Sequence, residues 1–393
     1  MDDTIVAVNS FIERVKLQNY KSIAACDVRL RALTVVVGRN GSGKSNFVDA
    51  LHFVADALTT TLDHAFRKRG GVKSVFHRGG PPRLVIELAF KMRERCGVYT
   101  IELSFGGVAH EALVVRTSDG SVAASFERRG SAIHADVAGS QLPDPPAITR
   151  DRLALVTLSG VDAFREPFDT LTALRFYRLS PEAIRQIQDP DEGDVLLENG
   201  SNLASVWRRL ERTDRDLSER LTRYIGAIAP EVRRIRSIDM GPKETLRFYQ
   251  VMSTGRQIHF DAASMSDGTL RALGALVASR QGNENGVGPT IVLIEEPETA
   301  LHPAAIAALM DALREASEKT QIVVTSHSPE VLDHVNAEED ALLVTESHAS
   351  VTILAEVDKA GREAIRRHLY TPGELLRMDQ LQPNLKGVEA AGE

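Results

Sequence analysis

LTVVVGRNGSGKSNFVDALHFVADAL, residues 33–58, decides the fold of this chain. Leu33 to Val37 is a β-branched run of strand length. Gly38, Arg39, Asn40, Gly41, Ser42, Gly43, Lys44 and Ser45 follow it as a glycine, four residues, then Gly-Lys-Ser. From there Phe47, Leu51, Val54 and Leu58 recur at helical spacing, so the loop opens an amphipathic helix. A glycine loop can wrap its backbone N–H groups around phosphate, and the helix behind it adds a positive N-terminus. In a chain of this length the pattern arises by chance on the order of once in a hundred cases. The expectation is that Gly38, Asn40, Gly41, Ser42, Gly43, Lys44, Ser45 and Asn46 line a nucleotide. Lys44 would charge-pair with the β- and γ-phosphates, and the Ser45 hydroxyl would ligate Mg²⁺.

Three further stretches look outward from that loop. TIVLIEEPE, residues 290–298, places consecutive carboxylates at the end of an apolar strand. Successive residues leaving a strand point to different sides, which fits Glu295 to Mg²⁺ and Glu296 to the water that attacks the γ-phosphate. Glutamate at the first position is longer than the more usual aspartate and shifts the metal contact outward. TSHSP, residues 325–329, follows the next apolar strand, where parallel sheets place their ligands, so His327 is expected to sense the γ-phosphate. SMSDGTL, residues 264–270, opens another helix, with Ser266 placed as its N-cap.

The rest of the chain divides around these motifs. Phe11 to Leu17 alternates as a strand, and residues 83–128 form short alternating runs broken by Gly, Asp and Ser, the mark of antiparallel hairpins. Pro143, Pro145 and Pro146 suggest a connector, and residues 180–236 read as mostly helical and rich in arginine. Strands at Thr290 to Ile294, Gln321 to Thr325 and Ala341 to Thr345, with helices starting at Pro303 and Pro329, then give a parallel-sheet pattern. The expected organisation is an N-terminal lobe over 1–160, a helical insertion over 161–240 and a C-terminal lobe over 241–393. One nucleotide sheet is assembled from both ends.

Composition narrows the function classes. Forty-seven basic against 54 acidic side chains give a formal charge of −7, so a polybasic nucleic-acid binder is excluded and any such contact must be local. Cys26 and Cys96 stand far apart and offer neither a disulfide framework nor metal-ligand spacing. The acidic start lacks the features of a signal peptide, and no apolar run approaches the roughly 20 residues that cross a bilayer. A cytoplasmic protein without a membrane span is expected.

The order of these motifs resembles the ABC-type ATPases of the SMC and RecF kind, and most closely their compact bacterial AAA-family relatives. VKLQNYKSI (15–23) looks like the opening strand, MSDGT (265–269) the signature loop, IEEPETALHP (294–303) the acidic strand with its dimer-contacting loop, and TSHSP the switch histidine. The resemblance is specific at both ends of the chain and weak in the middle. It implies an α/β P-loop ATPase head with an antiparallel β subdomain and a helical insertion. It also implies a head-to-tail homodimer in which ATP on one phosphate loop faces Ser266 and Gly268 of the other subunit. Lys44, Glu296 and His327 would carry out Mg²⁺-dependent hydrolysis.

The chain departs from the relatives in three places. It has no long paired helices for a coiled coil, only some sixty-six residues after His327 where some relatives append a nuclease domain, and no clear glutamine linking the Mg²⁺ site to the insertion. Gln186 and Gln188 are the candidates for that glutamine. A transporter's nucleotide-binding subunit is disfavoured by EEPETALH and by the split of about 250 residues between Lys44 and Glu295.

Two uses of such an ATPase stay open. One is a DNA-associated clamp in repair, recombination or antiviral defence, touching DNA through Arg67, Lys68, Arg69, Lys73 and Arg78 or through Arg208, Arg209, Arg212, Arg233, Arg234 and Arg236. The other is a regulatory subunit that controls a separate effector protein, such as a nuclease or toxin.

Overall fold

The computed structural model describes residues 10–143, 148–252, 254–281, 289 and 291–385. Pro145, Pro146, Thr290 and the first nine residues of the expectations above lie outside that set.

The strand before the glycine loop, β3 (Leu33–Val37), is buried at every position. Its alternate side chains enter two different cores: Val36 one, and Leu33, Val35 and Val37 the other. β14 (Ile291–Glu295) divides the same way, with Ile291 and Leu293 on one face and Val292 and Ile294 on the other. A sheet covered on both faces needs uninterrupted apolar strands, which is why these segments read as solid runs.

Around β3 the parallel strands run in the order β10 (Leu174–Tyr177), β14, β15 (Gln321–Ser326), β3 and β16 (Ala341–His348). β17 (Val351–Glu356) turns back antiparallel on β16 and meets β2 (Ile23–Arg29), which pairs with β1 (Ser10–Tyr20). The hairpins expected over 83–128 are β4 (Arg83–Met92), β5 (Arg95–Ser104), β6 (Gly107–Thr117) and β7 (Val122–Arg129), and the meander runs on past the expected end through β8 (Ala132–Val137) and the short β9 (Ser140–Gln141). Because β4 pairs with β1, this meander continues the main sheet, and 14 strands of the described residues share one hydrogen-bonded order.

Helices cover the faces. α1 (Lys44–Thr59), α2 (Leu62–Lys68), α3 (Val72–Val75), α4 (Ala154–Leu158) and α5 (Asp162–Thr172) pack on the first core. α6 (Pro181–Arg185), α7 (Leu203–Thr213), α8 (Arg215–Ile228), α9 (Asp267–Ser279) and α10 (Pro303–Ser317) pack on the second. A separate three-stranded sheet of β11 (Val232–Met240), β12 (Lys243–Val251) and β13 (Gln257–Asp261) backs α7 and α8. The short α11 (Pro329–Leu332), α12 (Lys359–Arg366) and α13 (Pro372–Arg377) close the C-terminal side. Within 161–240, helices α5 to α8 are therefore joined by β10, which lies in the main sheet, and by β11, which does not.

Gln321 is one of the side chains that tie the N-terminal strands to the C-terminal part of the sheet. Gln321, fully buried at the start of β15, accepts from Ile12 N at 2.8 Å and donates to Ile12 O at 2.8 Å and Arg31 O at 3.2 Å. A buried amide with its oxygen and both donor positions satisfied fixes the approach of these segments without leaving a polar group orphaned.

Candidate nucleotide site

Parallel strands that end at one edge bring their following loops together, and here those loops carry the motifs. Gly38 leaves β3 with its N–H toward Ser326 O (3.4 Å) at the end of β15. The loop then reaches α1 through Gly41 at φ 78° and Gly43 at φ 107°, left-handed values that glycine adopts without steric cost. Lys44 is buried and donates from Nζ to Gly38 O (2.8 Å) and Arg39 O (3.1 Å). Burial pushes its ammonium below the ordinary lysine range, against the opposing pull of Glu296, Glu298 and Glu295. Asn40, Gly41 and Ser45 are exposed.

Glu296 follows β14 in a left-handed conformation, φ 43°, held by its N–H to Thr325 O at 3.0 Å. A non-glycine residue there stores about 1–3 kcal/mol of strain, which the flanking strands must offset. The turn brings Glu296 Oε1 to 4.0 Å from Lys44 Nζ and 3.2 Å from His327 Nδ1. The three residues expected to act on the γ-phosphate thus meet from three segments, the lysine at the start of α1 and the acid and the histidine after separate strands. Glu295 is the last residue of β14, opposite Thr325, and its Oε2 lies 3.3 Å from Arg178 Nε.

Ser266 caps α9 by accepting from Thr269 N at 3.3 Å, as its position in the sequence requires. Gly268 is a matter of close approach: a Cβ there would lie 2.3 Å from Ala300 O in the loop that follows the acids. The loop that opens α9 and the acidic loop are therefore packed together within one chain. Arg271 Nη1 reinforces the contact by donating to Thr299 O at 3.0 Å.

Several of the expected residues are turned to structural partners. The Ser42 hydroxyl faces Thr345 Oγ1 at 2.5 Å, and the Asn46 amide donates to Ser22 Oγ at 2.6 Å. Gln188 is buried, its amide fixed between Ile184 O (3.2 Å) and Ala204 N (2.9 Å), while Gln186 is exposed after α6.

Sequence reading missed Arg178 and Glu298. Glu298 is buried, accepts from Ser326 Oγ at 2.5 Å, has a second oxygen without a partner among the described residues, and is raised above the usual carboxylate range by that burial. Its signal was the third acid of EEPE; Arg178 had none.

Most of the expected basic contacts are neutralised. Arg69 is buried against Asp49 and Asp56, and Arg67, Lys68, Arg208, Arg209 and Arg236 pair with Asp63, Asp56, Glu244, Asp194 and Glu211. Arg234 lies over the Tyr249 ring. Arg215, Arg223, Arg233, Arg234 and Arg236 line a groove of about 700 Å³ between α7, α8 and β11 together with Glu219 and Glu211, which pair with Arg215 and Arg236.

The 38–45 loop, Glu296 and His327 gather on one edge of a two-faced sheet, the layout of an α/β P-loop NTPase fold like that of SMC head domains. Residues 33–333 match the family described as "AAA domain, putative AbiEii toxin, Type IV TA system", and the chain belongs to that family. The DNA replication and repair protein RecF of Porphyromonas gingivalis, in two strains, is 49% identical over 45 residues. That stretch is 11% of this chain and 12% of the length of those relatives. Among solved structures, the Pyrococcus furiosus Smc head domain with an extended coiled coil, bound to the C-terminal domain of ScpA, superposes with a TM-score of 0.54 at 13% identity over 92% of this chain and 99% of that one. An SmcHead bound to the C-winged helix domain of ScpA gives 0.52 at 14% over 89% and 99%. At such identities the likeness is one of fold.

Proposed function

We propose that this chain binds ATP and Mg²⁺ on the 38–46 loop and hydrolyses ATP within a head-to-tail homodimer. The observation that carries this reading is the meeting of Lys44, Glu296 and His327 at one point. Lys44, partly desolvated, is a strong counter-charge for phosphate. Glu296 polarises the attacking water and accepts its proton, and His327, with Nδ1 3.2 Å from the same carboxylate, orients both. The donor set fits Mg²⁺: Ser45 presents an exposed hydroxyl at the start of α1, and Glu295 a carboxylate whose Oε2 already draws the Arg178 cation. Ser45 and Glu295 would hold the metal, which when bound neutralises charge on the phosphate oxygens.

The exposed start of α9 supports the dimer, since Ser266 is a solvent-facing cap at the positive end of a 13-residue helix. A partner's γ-phosphate placed there makes association depend on ATP. Release of phosphate on hydrolysis then opens the dimer. The dimer is proposed to serve DNA repair, recombination or defence against foreign DNA, with the groove between α8 and β11 as the contact. Duplex binding that weakens steeply between low and physiological salt, and further in Arg223→Ala and Arg233→Ala, is the test; salt-independent binding would count against it.

The paired state of most insert arginines favours a second reading, in which the insertion grips a separate effector protein and DNA plays little part. Co-purification of a stoichiometric partner that modulates ATPase activity, without duplex binding, would select it.

A further inference from the structure

The phosphate loop is held from behind by the hairpin of β16 and β17, which lies beyond residue 333, where the family match ends. The register Ser347↔Thr352 puts Thr352 on the same face as Thr345, and both hydroxyls are buried against the loop. Thr345 Oγ1 donates to Val37 O at 3.0 Å, so its one proton is used and Ser42 Oγ, 2.5 Å away, must donate to it. Thr352 Oγ1 donates to Ser42 O at 2.8 Å. Ser22 Oγ, 2.7 Å from Thr352 Oγ1, is then the donor to it and the acceptor for Asn46 Nδ2. Two one-way chains result, Asn46 to Ser22 to Thr352 to the Ser42 carbonyl, and Ser42 to Thr345 to the Val37 carbonyl.

The same hydroxyls explain two glycines. A Cβ on Gly38 would stand 2.2 Å from Thr345 Oγ1, and one on Gly43 2.2 Å from Thr352 Oγ1. Loop and hairpin are in contact at three successive points, Gly38, Ser42 and Gly43.

We propose that Thr345 and Thr352 are positioning residues of the nucleotide site, a role that rests on the reading of 38–46 as the phosphate loop. They touch no phosphate. By bonding the Ser42 carbonyl and hydroxyl they keep the carbonyl, which would repel an anion, behind the loop, and so fix its shape before nucleotide arrives. Ser42 and Asn46 contribute through this scaffold and not through their side chains on the ligand. The clamp sets affinity for the β-phosphate, common to ATP and ADP, and leaves the γ-phosphate chemistry at Glu296 alone.

The test uses the full chain with Thr345→Val and Thr352→Val, their Thr→Ser counterparts, and Ser42→Ala, which cuts one chain of bonds without touching the hairpin. Calorimetric titration with ATP and with ADP is read beside hydrolysis at saturating ATP. The valine variants should weaken both nucleotides by the same factor, about 3- to 10-fold each, the size of one lost buried hydrogen bond. Maximal hydrolysis should stay within twofold, and serine should restore binding. Ser42→Ala should weaken ATP and ADP by the same factor even where a valine variant does not fold. Unchanged ADP affinity in folded variants, a fall in maximal rate at constant affinity, or no restoration by serine would each overturn the proposal. A parent chain that binds neither nucleotide would refute the nucleotide reading itself and this role with it.

Discussion

Glu296→Gln separates chemistry from binding at this site. Glutamine keeps the length and the approach to His327 Nδ1, 3.2 Å away, but it cannot take a proton from water. Loss of a positioned general base costs about 10²- to 10⁴-fold in rate, so single-turnover hydrolysis should fall by that much. Binding should move the other way. The carboxylate stands 4.0 Å from Lys44 and adjoins the expected γ-phosphate, and at that range one unit charge in a largely hydrated setting is worth about 1 kcal/mol. Removing it relieves repulsion of the nucleotide, and ATP should bind equally or up to about 5-fold more tightly. Rapid-quench hydrolysis and calorimetric titration read the two numbers. A variant that hydrolyses ATP within tenfold of the parent would refute the general-base role, and one that loses ATP affinity tenfold would mean that the carboxylate holds nucleotide instead of working on water.

Other consequences are independent of hydrolysis. Asp49 on α1 is drawn upward by burial but held below the usual aspartate range by Arg69, Lys21 and the Tyr20 hydroxyl. Its folded value being lower than its unfolded one, the stability it contributes is present above about pH 4 and is lost as pH falls below that. Asp49→Asn should cost about 2–3 kcal/mol at pH 7 and flatten the acid limb of denaturation, as followed by urea melts across pH. Gly268→Ala should destabilise by about 1–3 kcal/mol, because its Cβ meets the Ala300 carbonyl; a melt unchanged from the parent would show that the two loops are not in contact. Lys44→Met should abolish ATP binding yet raise the melting temperature of the nucleotide-free protein, since it removes a desolvated charge; a lower melting temperature would show that its bonds to Gly38 and Arg39 outweigh the burial cost.

The parts of the site that sequence could show are those written locally. β3, its loop and α1 are contiguous, and the glycines carry their own reason in positive φ at Gly41 and Gly43. Glu296 and His327 were legible because each ends a solid apolar run, and a parallel sheet turns such ends to one edge. The meander from β4 was legible through its alternation, though its continuity with the nucleotide sheet depends on the β1–β4 pairing and has no local mark. Gln321 bridges to Ile12 across 309 residues, and Arg178 reaches Glu295 only because β10 docks beside β14. The arginine-rich insert was legible only in part for the same reason. Its charge was visible, but the acids that neutralise it, Glu244 on β12 and Glu211 on α7 among them, are placed by tertiary packing.

If each ATP site is shared between two chains, mixing two inactive variants should restore activity. Lys44→Ala removes a phosphate loop, and Ser266→Arg blocks a signature loop. A mixed dimer would regain one site built from the intact loop of each chain, so an equimolar mixture should hydrolyse ATP at about a quarter of the parent rate, with half the dimers mixed and one site of two working in each. A mixture as inactive as its components, or a Ser266→Arg chain as active as the parent, would contradict the account.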